Sequence, residues 1–119
     1  MKQLTIVLVF LLVWAIIPCS TSAQGAEDYL KEGISSLDMA DDSLLLYDEE
    51  AADFWLEDAL YCFNKAIELK PEYAEAYYWR AECYEWLGEN QRARDDYIIA
   101  ARLGWKKAQN VLREEGIQR

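Results

Sequence analysis

The sequence contains no histidine, and its 119 residues include only two prolines and three cysteines. Histidine is the side chain that titrates near neutral pH and the commonest metal ligand in proteins. Its absence excludes imidazole acid–base catalysis and removes the usual activator of a cysteine nucleophile. The sequence therefore argues against an enzyme, and it predicts no catalytic residue, no cofactor and no metal site.

Basic residues are also scarce, above all in the first half of the chain. The whole chain carries 12 basic and 22 acidic side chains. From Glu27 to Asp58 twelve acidic residues are opposed by Lys31 alone, whereas residues 76–119 carry seven acidic and eight basic side chains. Such a surface repels nucleic acid and anionic lipid, and it favours cationic protein partners or simply solubility. The uneven charge also allows head-to-tail association of two copies.

One long apolar run is present, and its position indicates a targeting segment. Lys2 precedes an apolar stretch over residues 4–17, and small residues follow Pro18, which is the pattern of a secretory signal peptide. The stretch is shorter than the roughly 20 residues that a membrane-spanning helix needs. We expect a signal peptide over residues 1–23, cleavage after Ala23 and an exported chain over 24–119, periplasmic or secreted from a bacterial envelope. A retained anchor stays open, while Pro18 disfavours lipidation at Cys19.

Apolar residues beyond the signal segment recur at helical spacing, and no segment alternates as a strand would. The pattern predicts helices over about 55–69, 72–87, 90–103 and 106–115. Pro71 and Gly88 supply the breaks between the first three. Part of the pattern repeats after 34 residues, so that three apolar positions return with the same size and character: Ala59, Phe63 and Ala66, then Ala93, Tyr97 and Ala100. The chain is predicted to be all-α.

This repeat resembles the tetratricopeptide repeat (TPR), a helix-turn-helix unit of 34 residues. Tyr77, Ala81 and Tyr84 stand where the family pattern has Trp, Gly and Tyr. Arg80 departs from the usual Leu, and Trp105 replaces the closing Pro. The resemblance implies a TPR-like solenoid over 24–119, with a first repeat over 26–73, a second over 74–107 and a C-terminal capping helix over 106–117.

The first repeat is longer than the family unit because of an acidic insert over residues 38–54. The insert carries seven carboxylates, no basic residue and an apolar cluster over 44–47. Insertions in solenoid repeats often form binding loops on one face. The alternative is that the paired helices are simply longer, with Asp48 capping an extended second helix. A calcium site is disfavoured because the glycine and the closing Glu of the calcium-loop pattern are absent.

The resemblance also divides the aromatic residues of 74–89 between two helical stripes. Tyr77, Ala81 and Tyr84 match the packing positions of the repeat and are expected in the core. The second stripe falls where TPR arrays line a concave groove that binds peptides. The predicted partner-binding residues are Leu30, Ile34, Tyr78, Glu82, Glu85 and Trp86. Alternatively, Tyr78 and Trp86 pack against the insert or another subunit.

Two cysteines, Cys62 and Cys83, lie on helices that this architecture makes neighbours. An exported chain could bridge them by a disulfide. Small buried thiols are also common core fillers, so both alternatives stay open.

These features predict an exported module that binds a protein or peptide in its helical groove. That partner could carry basic residues. The alternative is a structural subunit of a cell-envelope assembly, because two repeats bury little core and self-association would complete it.

Overall fold

The computed structural model describes residues 20–116, with side chains from residue 24 onward. No strand occurs within this range, and no helix in it combines the length and apolar character needed to cross a membrane. Most of the predicted signal segment, residues 1–19, lies outside the described residues. The described helices are α1 (Ser20–Leu45), α2 (Glu49–Leu69), α3 (Ala74–Trp86), α4 (Asn90–Arg102) and α5 (Lys106–Glu114).

The helices pack mainly against their neighbours in sequence, so α1 pairs with α2 and α3 pairs with α4. α2 also contacts α3, and α5 packs on α4 at the end of the stack. This is the predicted all-α arrangement of two helical pairs followed by a capping helix.

The C-terminal ends of α2 and α3 lie close to the predicted positions because the local sequence stops these helices, whereas α2 begins at Glu49, before the predicted start near residue 55. α2 ends at Leu69, shortly before Pro71, which has no backbone N–H to continue the ladder. α3 ends before Gly88, which adopts φ +74° and lets the Glu89 N–H bond the Tyr84 carbonyl at 2.8 Å. Glycine takes this left-handed conformation without steric cost, which is why it closes helices so often.

The core consists of two clusters that share α3. The first joins α1 and α2 and includes Ala76 and Cys83 from α3. The second joins α4 and α5 and includes Ala81 from α3. Because α3 buries residues toward both clusters, little of its surface is left free. The fully buried Phe63 and Tyr97 anchor the first and second cluster respectively.

α1 and α2 approach each other closely at Gly33. A Cβ atom added there would lie 2.6 Å from Cε1 of Phe63, closer than real Cβ contacts come. Glycine thus occupies a position where only a hydrogen fits beside the ring. The corresponding contact of the second pair uses Ala81, which is completely buried.

The acidic insert is not a free loop. α1 continues to Leu45 and α2 begins at Glu49, so the insert forms the last turns of one helix and the first turns of the next. The Asp48 carboxylate accepts a hydrogen bond from the Ala51 N–H at 3.0 Å and caps α2. The structure therefore has longer paired helices, which was the alternative to a binding loop.

Candidate functional site

Three tyrosines of α3, Tyr77, Tyr78 and Tyr84, pack against the second core cluster, so the predicted separation of Tyr78 from the core stripe is incomplete. Ala81 is buried in the second cluster, and Tyr77 and Tyr84 pack half-buried against it. The Tyr77 hydroxyl donates a hydrogen bond to the Pro71 carbonyl at 3.1 Å. Tyr77, Ala81 and Tyr84 are structural.

Tyr78 is more enclosed than a residue on the open edge of a groove. Its ring lies 5.3 Å from the Trp79 ring, 5.7 Å from Tyr97 and 6.3 Å from Trp105, centroid to centroid. Aromatic pairs at these distances contribute to packing beyond their buried area. Tyr78 therefore links α3 to α4 and to the start of α5, while part of its surface stays accessible.

Glu82 lies one turn further along α3, beside two tyrosine hydroxyls. Its carboxylate accepts a hydrogen bond from the Tyr97 hydroxyl at 2.8 Å. Burial, followed by the negative charge of Glu82, raises the pKa of Tyr78 to about 12. Burial and the hydrogen bond to Glu82 also raise the pKa of Tyr97. Both phenols stay neutral at physiological pH, and the Glu82 carboxylate is held in place by one of them.

A cation lies over this same side of α3. The Lys107 ammonium is 5.7 Å from the centroid of the Trp79 ring and 6.0 Å from that of Tyr78. Lys107 belongs to α5, so the contact ties the capping helix to α3. Its distances are at the outer edge of the range in which an aromatic face attracts a cation.

Glu85 and Trp86 form the accessible end of the predicted stripe. Glu85 is exposed, and the Trp86 side chain is 39% exposed. An open polar cavity of about 410 Å³ lies beside Glu85 and is lined by Glu85, Asn90, Gln91, Arg94 and Glu115. We call the group formed by Tyr78, Glu82, Glu85, Trp86 and Lys107 the α3 surface.

The two predicted groove residues on α1 offer a partner less accessible surface than Glu85 and Trp86 do. Leu30 is 4% exposed and belongs to the first core cluster, so its assignment to a partner-binding surface is wrong. It lies on one helical stripe with Gly33 and Leu37, and that stripe faces α2. Ile34 is half-buried against the same cluster and keeps some accessible surface.

An ion pair at the centre of the second repeat was not foreseen from the sequence. Arg80 donates from Nε to Asp96 Oδ2 at 2.6 Å and from Nη2 to Asp96 Oδ1 at 2.8 Å. Its Nη1 donates to Asn64 Oδ1 at 2.9 Å, which extends the contact to α2. The side chains are 19% and 6% exposed for Arg80 and Asp96. The sequence feature that pointed to this pair was Arg80 itself, which stands where the family pattern usually has Leu.

Cys62 and Cys83 are free and buried. Of the two alternatives, a disulfide and separate thiols, the structure has separate thiols. Burial, with smaller contributions from the charges of Asp58 and Glu32, raises the pKa of Cys62 to about 11. Burial and the charge of Glu82 raise the pKa of Cys83 to about 12. Neither thiol has the lowered pKa that makes a cysteine reactive.

One protein family matches this chain. The model of the TPR repeat matches residues 56–98, from Leu56 on α2 to Ile98 on α4. No curated protein and no solved structure matches the sequence. The TPR family is a family of protein–protein interaction modules. The family match over residues 56–98 and the two stacked helical pairs with their capping helix show a tetratricopeptide repeat within this all-helical chain.

Proposed function

We propose that the chain is an exported interaction module whose α3 surface binds a partner segment carrying a lysine or arginine. The family match supports protein binding in general, and the residues of α3 suggest the chemistry of the partner. Glu82 and Glu85 offer carboxylates, while Trp86 offers a large, partly exposed ring. Carboxylates select cations, and an exposed indole supplies contact area at low cost in side-chain entropy.

The observation that carries this proposal is the position of Lys107. An ammonium already lies over the Tyr78 and Trp79 rings, so this environment accepts a cationic side chain. Glu85 takes part in none of the ion pairs found among residues 24–116, so its charge is available to a partner. The cation of a partner would add to Lys107 or displace it.

Co-purification from the native envelope fraction tests this function. The variant Glu85→Gln/Trp86→Ser removes a charge and an exposed ring without touching a buried residue. Tyr61→Ser is the matched control, since Tyr61 is 55% exposed on α2 and is not part of the α3 surface. We expect a specific protein to be recovered with the wild type and the control and lost with the double variant. Equal recovery with all three would refute binding at the α3 surface.

The alternative, a structural subunit that associates with itself, is favoured by the end of the stack. Ile99 and Leu103 are 37% and 40% exposed beside Arg102 on α4. An apolar surface with a positive charge could receive the acidic first pair of another copy. The molar mass measured over a wide range of protein concentrations distinguishes the two functions, because only the structural subunit forms larger species without a partner.

Export is a proposal that rests on the N-terminal sequence. Cell fractionation and the N-terminal sequence of the accumulated protein test it directly. A chain that starts at Gln24 in the envelope or the medium would support it. A chain that keeps residues 1–23 in the cytoplasm would refute it.

A further inference from the structure

The end of the α1–α2 hairpin exposes an unusual concentration of apolar side chains. We call residues 39–54 the hairpin tip. Eleven large apolar side chains are exposed in the described part of the chain, and six of them lie in the tip. These six are Met39, Leu44, Leu45, Leu46, Tyr47 and Phe54.

The packing of α1 against α2 does not account for the apolar side chains exposed at the tip. Ala40 on α1 and Ala52 on α2 are the last buried residues before the turn, and no residue between them is buried. Leu44 lies one turn beyond Ala40 on the same helical stripe and is nevertheless 40% exposed. Leu45 and Leu46 are 71% and 79% exposed. Apolar side chains therefore continue past the point where the core ends.

The backbone conformation of Tyr47 costs stability. Its side chain is 94% exposed, and its φ of +58° lies in the left-handed region. An L-residue with a Cβ atom adopts this region at a cost of about 1–2 kcal/mol. Glycine or asparagine would close the same turn more easily. The turn does not require a phenol ring, and the ring contributes nothing to the core.

The charges around the tip define what could cover it. Seven carboxylates lie within residues 38–54, and no basic residue occurs between Lys31 and Lys65. In the described part of the chain, none of the seven takes part in an ion pair. Asp48 caps α2, whereas Asp41, Asp42 and Glu49 are exposed. The surface is thus apolar at the turn and negatively charged around it.

We propose that the hairpin tip docks a cationic amphipathic segment of another protein. The apolar side chains of that segment would cover Leu45, Leu46 and Tyr47, and its lysines or arginines would lie against the surrounding carboxylates. Apolar burial supplies affinity, and complementary charge supplies specificity and a faster association. Anionic lipid and nucleic acid are repelled by the same carboxylates. The tip shares no residue with the α3 surface, so this docking does not depend on the function proposed above.

A designed peptide tests the tip without knowledge of the natural partner. The probe is a fluorescent amphipathic helix of leucine and lysine, and its control replaces each leucine by alanine at the same charge. Binding is measured by anisotropy at about 0.15 M ionic strength, where charges further apart than about 8 Å are screened. The experiment uses the form of the chain that accumulates in cells. Far-ultraviolet circular dichroism verifies that each variant keeps its helices.

Three variants separate the contribution of the apolar side chains to probe binding from that of the carboxylates. Leu45→Ser/Leu46→Ser/Tyr47→Asn removes the apolar surface, keeps every charge and places asparagine where φ is positive. Asp41→Asn/Asp42→Asn/Glu49→Gln removes charge and spares the Asp48 cap. Tyr61→Ser removes an exposed ring outside the tip.

We expect the leucine probe to bind the wild type and Tyr61→Ser equally, and to bind the apolar variant at least about tenfold more weakly. The charge variant should also bind more weakly and with less dependence on salt. Glu85→Gln/Trp86→Ser should bind the probe like the wild type, which separates this proposal from the α3 surface.

Several results would overturn the proposal. One is that the apolar variant binds within about twofold of the wild type, since binding would then be charge attraction alone. Another is that no leucine probe binds below about 1 mM, the limit of weak association. Sedimentation of the wild type with zwitterionic lipid vesicles, lost in the apolar variant, would assign the tip to a membrane. A concentration-dependent mass lost in that variant would assign it to a second copy.

Discussion

Separating Arg80 from Asp96 should destabilise the second repeat strongly. In Arg80→Leu, which restores the residue usual in the family, the Asp96 carboxylate loses both hydrogen bonds from the guanidinium. Asp96 is only 6% exposed, so water cannot replace them. Removing one partner of a buried ion pair costs about 3–5 kcal/mol. We expect about 3 kcal/mol, the lower end, because the Arg80 position is 19% exposed and a leucine recovers apolar contact there.

A double-mutant cycle isolates the pair. Asp96→Ala alone should also cost about 3 kcal/mol, because it leaves the Arg80 charge without its carboxylate. The double variant Arg80→Leu/Asp96→Ala has no charge left to compensate. Replacing a whole buried pair by apolar residues is often close to neutral. We expect it to lose about 1–2 kcal/mol, far less than the sum of the single losses, which is a coupling well above the measurement error.

Urea unfolding followed by tryptophan fluorescence and by circular dichroism provides the free energies. The matched control is the exposed pair of Arg92 and Glu89, which is 2.9 Å long with side chains 67% and 42% exposed. Exposed pairs contribute about 0–1 kcal/mol, so Arg92→Ala should change stability little. If Arg80→Leu costs no more than the control, or if the two single losses simply add, Arg80 and Asp96 do not form a coupled buried pair.

Substitutions in the core and the chemistry of its two thiols should also have measurable effects. Gly33→Ala should lose about 1–3 kcal/mol through overpacking against the phenyl ring, although alanine favours helix; Gly25→Ala, whose Cβ would meet only Leu69 at 3.5 Å, should not lose stability. Equal melting temperatures for the two would contradict the close approach of α1 and α2. Cys62 and Cys83 should appear as two free thiols by mass after alkylation in denaturant, and should react slowly in the folded protein; a mass showing them bridged would contradict this. Stability should fall at alkaline pH. The folded pKa values of about 11 and 12 lie above the ordinary 9.0, so the stabilisation is complete below pH 9.0 and is lost as pH rises toward the folded values. Thermal melting from pH 8 to 11 measures this, and a flat profile, or the same fall in Cys62→Ala/Cys83→Ala, would contradict it.

Local chemistry made most of the fold predictable from the sequence. Pro71 and Gly88 stop helices through properties of single residues, and Asp48 caps α2 through a contact three residues away. Helical periodicity placed Ala81 in the core correctly. In each of these cases the determining interactions lie within a few turns of the chain.

The candidate site was less predictable because its environment depends on distant residues. Tyr78 is enclosed by Trp105, which follows it by nearly a whole repeat, and periodicity within α3 carries no information on that contact. Leu30 was assigned to the groove although its spacing to Gly33 and Leu37 places it on the stripe that faces α2. Arg80 found its partner Asp96 on a different helix, where several acidic residues were candidates.

Site-specific photocrosslinking in living cells tests most directly whether the α3 surface is the binding surface. A photoreactive amino acid is placed at Trp86 in one strain and at Tyr61, exposed on α2, in another. We expect position 86 to give an adduct with a distinct protein and position 61 to give none. An adduct from neither position, equal adducts from both, or an adduct only with another copy of this chain would contradict this expectation.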